Sequence, residues 1–357
     1  MNIDKLGFNK WFQDKTDSDK LADYHIARVI TVHKNSYIVN NGKSDLFAEV
    51  SGKLTFDADS PLDYPAVGDW VYVQFFNDES FAIIHGIVPR KSLLARKTSG
   101  KKIAFQLIAA NIDTAIIIQS LDSNYNIRRL ERYLVMINEN DIHPVVLLSK
   151  SDLLTPDEMD KKKSDIHQVM PSIQVVAFSN KNDSDLDRVK ELLIPGKTYC
   201  LLGSSGVGKT TLLNNLINDD VFETQTVREK DGKGRHTTAR RQLIIIENGA
   251  MVIDTPGMRE LGNISVESGL HGTFSEIAEL SDQCRYNDCT HTGEEGCAVL
   301  AAVQEGIIPR GRYQNYIKMN KESAYNEMSY LEKRQKDKQF GKLIKSVMKY
   351  KKKKDVT

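Results

Sequence analysis

No apolar run in this chain approaches the ~20 residues that a membrane-spanning helix requires, and Met1 to Lys15 is charged, without the apolar stretch of a secretory signal. A membrane role and export are therefore not expected, and the chain reads as cytoplasmic. Cysteine is scarce, with four in 357 residues, which excludes a disulfide framework as the source of stability. There is no internal repeat and no long low-complexity segment apart from a Lys-rich end. Neither sign of charge dominates, since 49 Lys and Arg meet 48 Asp and Glu for a net +1. The distribution is uneven, however: residues 332–357 carry a net +8, leaving −7 for residues 1–331. With 40% apolar and 27% charged residues, the chain can bury ordinary cores divided among two or three domains.

What is present starts with GSSGVGKT, Gly203 to Thr210. In such a loop the glycines let backbone N–H groups turn inward around phosphates, a Lys reaches the β/γ oxygens and the last hydroxyl holds Mg²⁺. Gly203, Ser204, Ser205, Gly206, Val207, Gly208, Lys209, Thr210 and Thr211 are thus candidate nucleotide contacts, with Thr210 a magnesium ligand. Lys197 to Leu202 predicts a strand and Thr210 to Ile217 a helix whose dipole adds to the anion site. A Gly/Ser turn that matched by chance would not need either flank. Downstream, the apolar strand Met251 to Ile253 runs into DTPG, Asp254 to Gly257, which suits an Asp reaching the Mg²⁺ shell and a Gly N–H meeting the γ-phosphate. Met258 follows, where many GTPases carry a water-orienting Gln. Between the two motifs, GKGRHTTARR from Gly232 to Arg241 suits a switch loop in which Thr237 or Thr238 reaches Mg²⁺. A solvated basic loop is the alternative. His236 is the residue there able to move a proton near neutral pH.

A guanine reader of the Asn-Lys-x-Asp type presents its carboxylate to the ring N–H and the exocyclic amine. Two segments compete for that role. SKSD (Ser149, Lys150, Ser151, Asp152) follows a predicted strand from Pro144 to Leu148, and NKND (Asn180 to Asp183) follows Ile173 to Phe178. NKND is closer by letter but leaves too few residues before the Lys197 strand for a loop that backs the base. SKSD is followed by a helical stretch and a strand ending at Ser179, so SKSD is assigned as the reader and Asp152 carries the guanine preference. The order is then base reader, backing loop, phosphate loop, switch and DTPG, a rotation of the usual G-protein order. A parallel sheet tolerates the rotation if the original termini lie close together.

Beyond the GTPase motifs, Cys284, Cys289, His291 and Cys297 form C-x4-C-x-H-x5-C, a ligand set for one closed, structural Zn²⁺ site. Buried thiols with an incidental His are the alternative. Cys200 reads as a small core residue. Near the N-terminus, Ala27 to Val32, Tyr37 to Val39, Leu46 to Val50, Trp70 to Phe75 and Phe81 to Val88 predict five short strands. Five such strands suggest an OB-type barrel, a fold that commonly binds oligonucleotides, or another small barrel without that role. Pro89 to Lys102 holds six basic residues and no acid, and reads as a connector that is either solvated or in contact with phosphates. Tyr313, Tyr316, Ile317, Ala324, Met328 and Leu331 follow helical spacing, as expected of a helix packed on the zinc domain.

Barrel, permuted GTPase motifs and Cys/His cluster together resemble the ribosome small-subunit-dependent GTPase A family, over roughly residues 24–330. The resemblance implies a weak GTPase stimulated by the small ribosomal subunit, acting late in its maturation and contacting its rRNA, with His236 positioning or activating water. Ser149 stands where the commoner residue is Asn. The expected architecture is a multidomain α/β chain. It comprises an N-terminal extension (1–23), an OB-fold-like RNA-binding barrel (24–92), a circularly permuted P-loop GTPase domain (103–270), an α-helical zinc-binding domain (271–331) and a basic tail (332–357). His236, Lys209 and Asp254 are the candidate catalytic residues, Mg²⁺ with GTP and one Zn²⁺ the expected cofactors, and GTP/GDP and the small subunit the expected partners of a monomer. Two other readings remain: a nucleotide-gated RNA-binding scaffold with incidental hydrolysis, and a P-loop ATPase or kinase.

Overall fold

The computed structural model describes residues 3–34, 36–97, 105–218, 241–254, 267–328 and 332. All five strands expected near the N-terminus are present: β1 (His25–Val32), β2 (Tyr37–Asn40), β3 (Asp45–Val50), β4 (Trp70–Phe76) and β5 (Phe81–Ile87). They run in the order β1-β2-β3-β5-β4, and β4 returns to pair with β1, which closes a barrel. Alternation along each strand sends Ala27, Val29, Val39, Leu46, Ala48, Val71, Val73 and Ile84 into the barrel core. Helices α1 (Lys10–Lys15) and α2 (Ser18–Asp23) precede the barrel, and α3 (Gly52–Asp57) lies between β3 and β4. Leu6, Phe8 and Phe12 form a second apolar cluster with Trp70, Tyr72 and Val88 on the outer side of β4.

The segment Pro89 to Lys102 departs from the expectation of a connector. Leu93–Lys97 is a strand, β6, paired antiparallel with β7 (Phe105–Ala110). Its register is set by Leu94, which is fully buried, and its start is pinned by ion pairs of Arg90 with Asp69 (2.7 Å) and Lys91 with Asp113 (2.9 Å). Charge at the flanks masks the short apolar core of this strand in the sequence.

The remaining strands are β8 (Thr114–Ser120), β9 (His143–Ser149), β10 (Gln174–Phe178), β11 (Thr198–Leu202), β12 (Gln242–Ile245) and β13 (Met251–Asp254). Their order is β10-β9-β8-β11-β13-β12, parallel except for β12. Numbered from β11 as the first strand, the sheet reads 6-5-4-1-3-2 from one edge to the other, the G-protein order, although in the chain β8 to β10 come first. Being buried on both faces, these strands are near-continuous apolar runs, as parallel strands should be. Helices α4 (Ile127–Asn138) and α5 (Pro156–Val169) cover one face, while α6 (Asp183–Glu191) and α7 (Lys209–Ile217) cover the other. Gln242 of β12 also pairs with Thr31 of β1, so the barrel and this sheet share one ladder.

Four helices follow: α8 (Glu267–Thr273), α9 (Ser275–Ser281), α10 (Ala298–Gln304) and α11 (Arg310–Glu327). Their core of Phe274, Ile277, Val299, Ala302, Ile308 and Met319 includes Val135 of α4. Gly269 allows α8 to approach α4 closely, since a Cβ there would lie 2.1 Å from the Val135 carbonyl oxygen. Tyr313 and Tyr316 of α11 pack on this core as expected, Ala324 is exposed, and Leu331 lies outside the described residues.

Candidate nucleotide site and metal centre

The phosphate loop connects β11 to α7 at the carboxyl edge of the sheet, beside the point where chain order reverses between β11 and β8. That crevice is where open α/β sheets bind ligands. Gly206 and Gly208 have φ of 79° and 91°, values that carry a side chain at a cost, and Gly208 is the residue preceding α7. At Gly203 a Cβ would lie 2.6 Å from the Ile118 carbonyl oxygen, so only glycine lets the loop sit against β8. Lys209 Nζ donates to the Gly203 and Ser204 carbonyls, both at 2.7 Å, which holds the ammonium over the loop. Thr210 and Thr211 lie in the first turn of α7, partly buried and exposed respectively. Asp254 ends β13, in register with Leu201 of β11.

Ser149, at the end of β9, is fully buried, and its hydroxyl donates to the Val207 carbonyl of the phosphate loop at 2.7 Å. It therefore ties one candidate site segment to the other. Lys150 adopts the left-handed conformation (φ 61°) and places Nζ 2.6 Å from Asp122 Oδ2. Burial pushes the Asp122 carboxyl upward, but hydrogen bonds from Lys150, Ser120 and the Asn124 N–H prevail and hold its pKa down at about 2. Asp152 accepts from Ser179 Oγ at 2.8 Å and from Lys181 Nζ at 3.0 Å. The hydrogen bond from Lys181, with that from Ser179, holds the Asp152 carboxyl below the usual range, so it is anionic at neutral pH.

SKSD and NKND thus meet rather than compete. Ser151, Asp152, Ser179, Lys181, Asn182, Asp183 and Asp185 line one open cavity of ≈ 630 Å³. Asp185, buried, accepts from the Ser179 N–H (2.9 Å) and the Ser151 hydroxyl (3.4 Å), and so fixes both loops. Sequence reasoning misses Asp185, Asp122 and Asn124. Asn124 donates to Ser204 Oγ and the Ser205 carbonyl, both at 3.1 Å, from the loop after β8. The available signal is position: each lies in a loop or first helical turn just beyond a strand of the sheet. His236, Thr237, Thr238, Gly257 and Met258 lie outside the described residues.

The four predicted zinc ligands come together. Their Sγ and Nδ1 atoms all lie within 4.8 Å of one another, with Cys284 Sγ 3.9 Å from Cys297 Sγ and His291 Nδ1 3.6 and 3.5 Å from the two. A tetrahedral centre with Zn–S near 2.3 Å requires edges of about 3.8 Å between sulfurs and slightly less to nitrogen. The cluster fits a structural zinc. His291 Nε2 is 3.0 Å from Ser281 Oγ, whose own proton goes to the Ile277 carbonyl at 2.8 Å. The hydroxyl therefore accepts from Nε2–H and leaves Nδ1 free to ligate. Among the described residues all four cysteines are free of disulfides, and Cys200 is buried in the sheet core as expected.

A model of the RsgA GTPase family matches residues 87–264. A Vibrio parahaemolyticus protein named small ribosomal subunit biogenesis GTPase RsgA 2 is 37% identical over 98% of this chain and 94% of its own length. Its namesake in Lactiplantibacillus plantarum is 41% identical over 92% and 91%. The chain belongs to the RsgA GTPase family. It is accordingly a GTP hydrolase that uses Mg²⁺ with its nucleotide. YjeQ from Thermotoga maritima has the same fold at a TM-score of 0.61 and 26% identity, over 84% of this chain and 98% of that one. YloQ, a circularly permuted GTPase, matches at a TM-score of 0.60 over 86% and 97%; at 24% identity it bears on the fold alone. Among the described residues no helix is long and apolar enough to cross a membrane.

Proposed function

We propose that this GTPase acts in late maturation of the small (30S) ribosomal subunit, binding its rRNA and hydrolysing GTP to GDP and phosphate under stimulation by the subunit, as a cytoplasmic monomer. The observation that supports the nucleotide half of this reading is the bond from the Ser149 hydroxyl, at the start of SKSD, to the Val207 carbonyl of the phosphate loop. The subunit half is supported by relatives that match over nearly their whole length and are named for small-subunit biogenesis. In this reading Asp152 accepts from guanine, Ser179 and Lys150 flank the base, and Lys209 with the loop amides takes the β/γ-phosphates. Thr210 and one of Thr237 and Thr238 hold Mg²⁺, Asp254 orders its water shell, Gly257 meets the γ-phosphate and His236 positions the attacking water. Catalysis is then mainly positional and electrostatic. GTP and ATP hydrolysis by the purified protein, with and without small subunits and with large subunits as control, tests it. GTP-selective stimulation by small subunits alone is expected; equal use of ATP removes the base reader, and no stimulation removes the partner.

A further inference from the structure

The outward positions of β4 alternate as Trp70, Tyr72, Gln74 and Phe76. The N-terminal segment covers the first two through Leu6, Phe8 and Phe12, and Tyr72 is further held by the Asp17 N–H and by Lys20 over its ring. The other end of the same face is uncovered among the described residues. There Phe47 of β3, Phe81 of β5 and Phe76 of β4 stand in register across three neighbouring strands. Their ring centroids are 6.0 Å apart for Phe47 and Phe81 and 6.4 Å for Phe81 and Phe76, with Phe47 43% and Phe76 38% exposed. Phe81, between them, is half-buried, and two exposed aromatic rings joined through a third form a candidate interaction surface rather than scattered surface residues.

Its border is acidic. Asp45 and Glu49, two residues to either side of Phe47, are exposed on the same face. The hairpin between β4 and β5 adds Asp78 and Glu79, and holds Asn77, Asp78 and Glu79 consecutively at φ of 52°, 52° and 60°. Residues 24–92 contain eight Asp and Glu against six Lys and Arg. Of those six, Arg28 is buried, Arg90 and Lys91 pair with Asp69 and Asp113, and Lys43 pairs with Glu79. Asp45 and Glu49, on either side of Phe47, enter no ion pair among the described residues, so the Phe47 edge of this face favours cations, in contrast to the electropositive groove that tracks a single strand.

We propose that the Phe47–Phe81–Phe76 row docks a Lys/Arg-rich segment of a partner protein, whose cations lie over the rings and pair with Asp45 and Glu49. The proposal is independent of the hydrolytic site and of the subunit reading. The probes are a fluorescein-labelled ten-residue peptide of alternating Arg and Gly and a labelled dodecauridylate, titrated by anisotropy into the full chain at low salt. Asp45→Asn with Glu49→Gln, and separately Phe47→Ser with Phe76→Ser, should each weaken the peptide at least tenfold while GTP and dodecauridylate affinities stay unchanged. Phe47 and Phe76 are only 43% and 38% exposed, so a thermal melt of each variant checks that the barrel stays folded, which GTP affinity at the other domain does not report. No measurable peptide binding, or binding unaffected by both pairs, overturns the proposal. So does dodecauridylate that is weakened by the Phe pair and strengthened by the charge pair, which assigns the face to RNA. Peptide binding that appears only after residues 333–357 are removed assigns it to the chain's own basic tail and likewise excludes a separate partner.

Discussion

Asp152→Asn isolates the base reader. The Asp152 carboxylate is held by Ser179 Oγ at 2.8 Å and by Lys181 Nζ at 3.0 Å, and the Lys181 side chain is 82% exposed, so the ion pair contributes little to the fold. A carboxamide oxygen still accepts from Ser179, and the loop keeps its shape. If Asp152 reads guanine as proposed, the change is severe, because a carboxylate accepting from two N–H groups becomes an amide whose NH₂ opposes the exocyclic amine. Hydrogen bonds to a charged group contribute about 1.5–3 kcal/mol each, so two lost bonds cost about 3–6 kcal/mol. That corresponds to roughly a 10²- to 10⁴-fold loss of GTP affinity. Xanthine carries a carbonyl where guanine has the amine, so affinity for xanthosine triphosphate should rise in the variant. Displacement of a fluorescent GDP by GTP, xanthosine triphosphate and ATP measures all three, and a thermal melt checks folding. Asp183→Asn, in the competing NKND, should change GTP affinity less than about threefold if Asp152, and not Asp183, accepts from guanine. Retained GTP affinity in Asp152→Asn, or a loss that appears in Asp183→Asn instead, refutes the assignment.

His236→Ala should abolish subunit-stimulated turnover with little change in nucleotide affinity, and unchanged turnover removes His236 from the mechanism. Cys297→Ser should lose the zinc, read by metal analysis, and melt the helical domain earlier while GTP affinity is retained. Glu131, fully buried, accepts from Arg312 Nη1 at 3.0 Å and Asn315 Nδ2 at 2.6 Å, so Glu131→Ala should cost about 1.5–3 kcal/mol in urea unfolding through loss of charged hydrogen bonds, with Arg312 still held by Glu276. For Asp122, whose folded pKa of about 2 lies below its ordinary 3.8, the stabilisation is complete above 3.8 and lost as pH falls through 2. The stability difference between wild type and Asp122→Asn should therefore be flat above about pH 4 and vanish toward pH 2, and a transition centred near pH 6 would contradict the Lys150 anchor.

Much of this molecule is legible in the sequence where the signal is local. The phosphate loop, the five barrel strands and the Cys/His spacing each encode a geometry within a short window, and all appear where expected. Ser149 shows the limit. As a letter it looks like a weakened Asn; in the fold it is a buried hydroxyl that reaches a carbonyl 58 residues away, a contact no local pattern reveals. NKND competes by letter for the same reason, since its Lys181 serves Asp152, a residue on a different strand end. β6 was hidden because its flanking charges are consumed by Asp69 and Asp113, partners set only by the tertiary fold.

The permutation acquires a physical meaning through the connections at its new ends. Asp254, at the candidate Mg²⁺ position, is in register with Gln242 of β12, and Gln242 is in register with Thr31 of the barrel. One backbone ladder therefore runs from the nucleotide crevice into the barrel. At the opposite end of the same strands, buried Arg28 of β1 donates to Thr198 Oγ1 at 2.7 Å and to the Gly68 carbonyl at 3.3 Å, and lies 2.9 Å from Met251 Sδ. Burial, against weak attraction from Asp113 and Asp69, lowers its pKa to about 10, still cationic at neutral pH, so that separating barrel from sheet would leave these buried groups to find other partners. On the far side Arg312, with Glu131 and Glu276, clamps the zinc-bearing helices to α4. Among the described residues the sheet is thus linked to both flanking domains, through the β12–β1 ladder on one side and the Arg312 ion pairs on the other. In an unpermuted chain, opened elsewhere, the DTPG strand would continue into further strands of its own sheet; here it leads directly into the helical domain, which makes the edges of the GTPase fold, rather than its interior, the place where nucleotide state meets whatever the flanking domains hold.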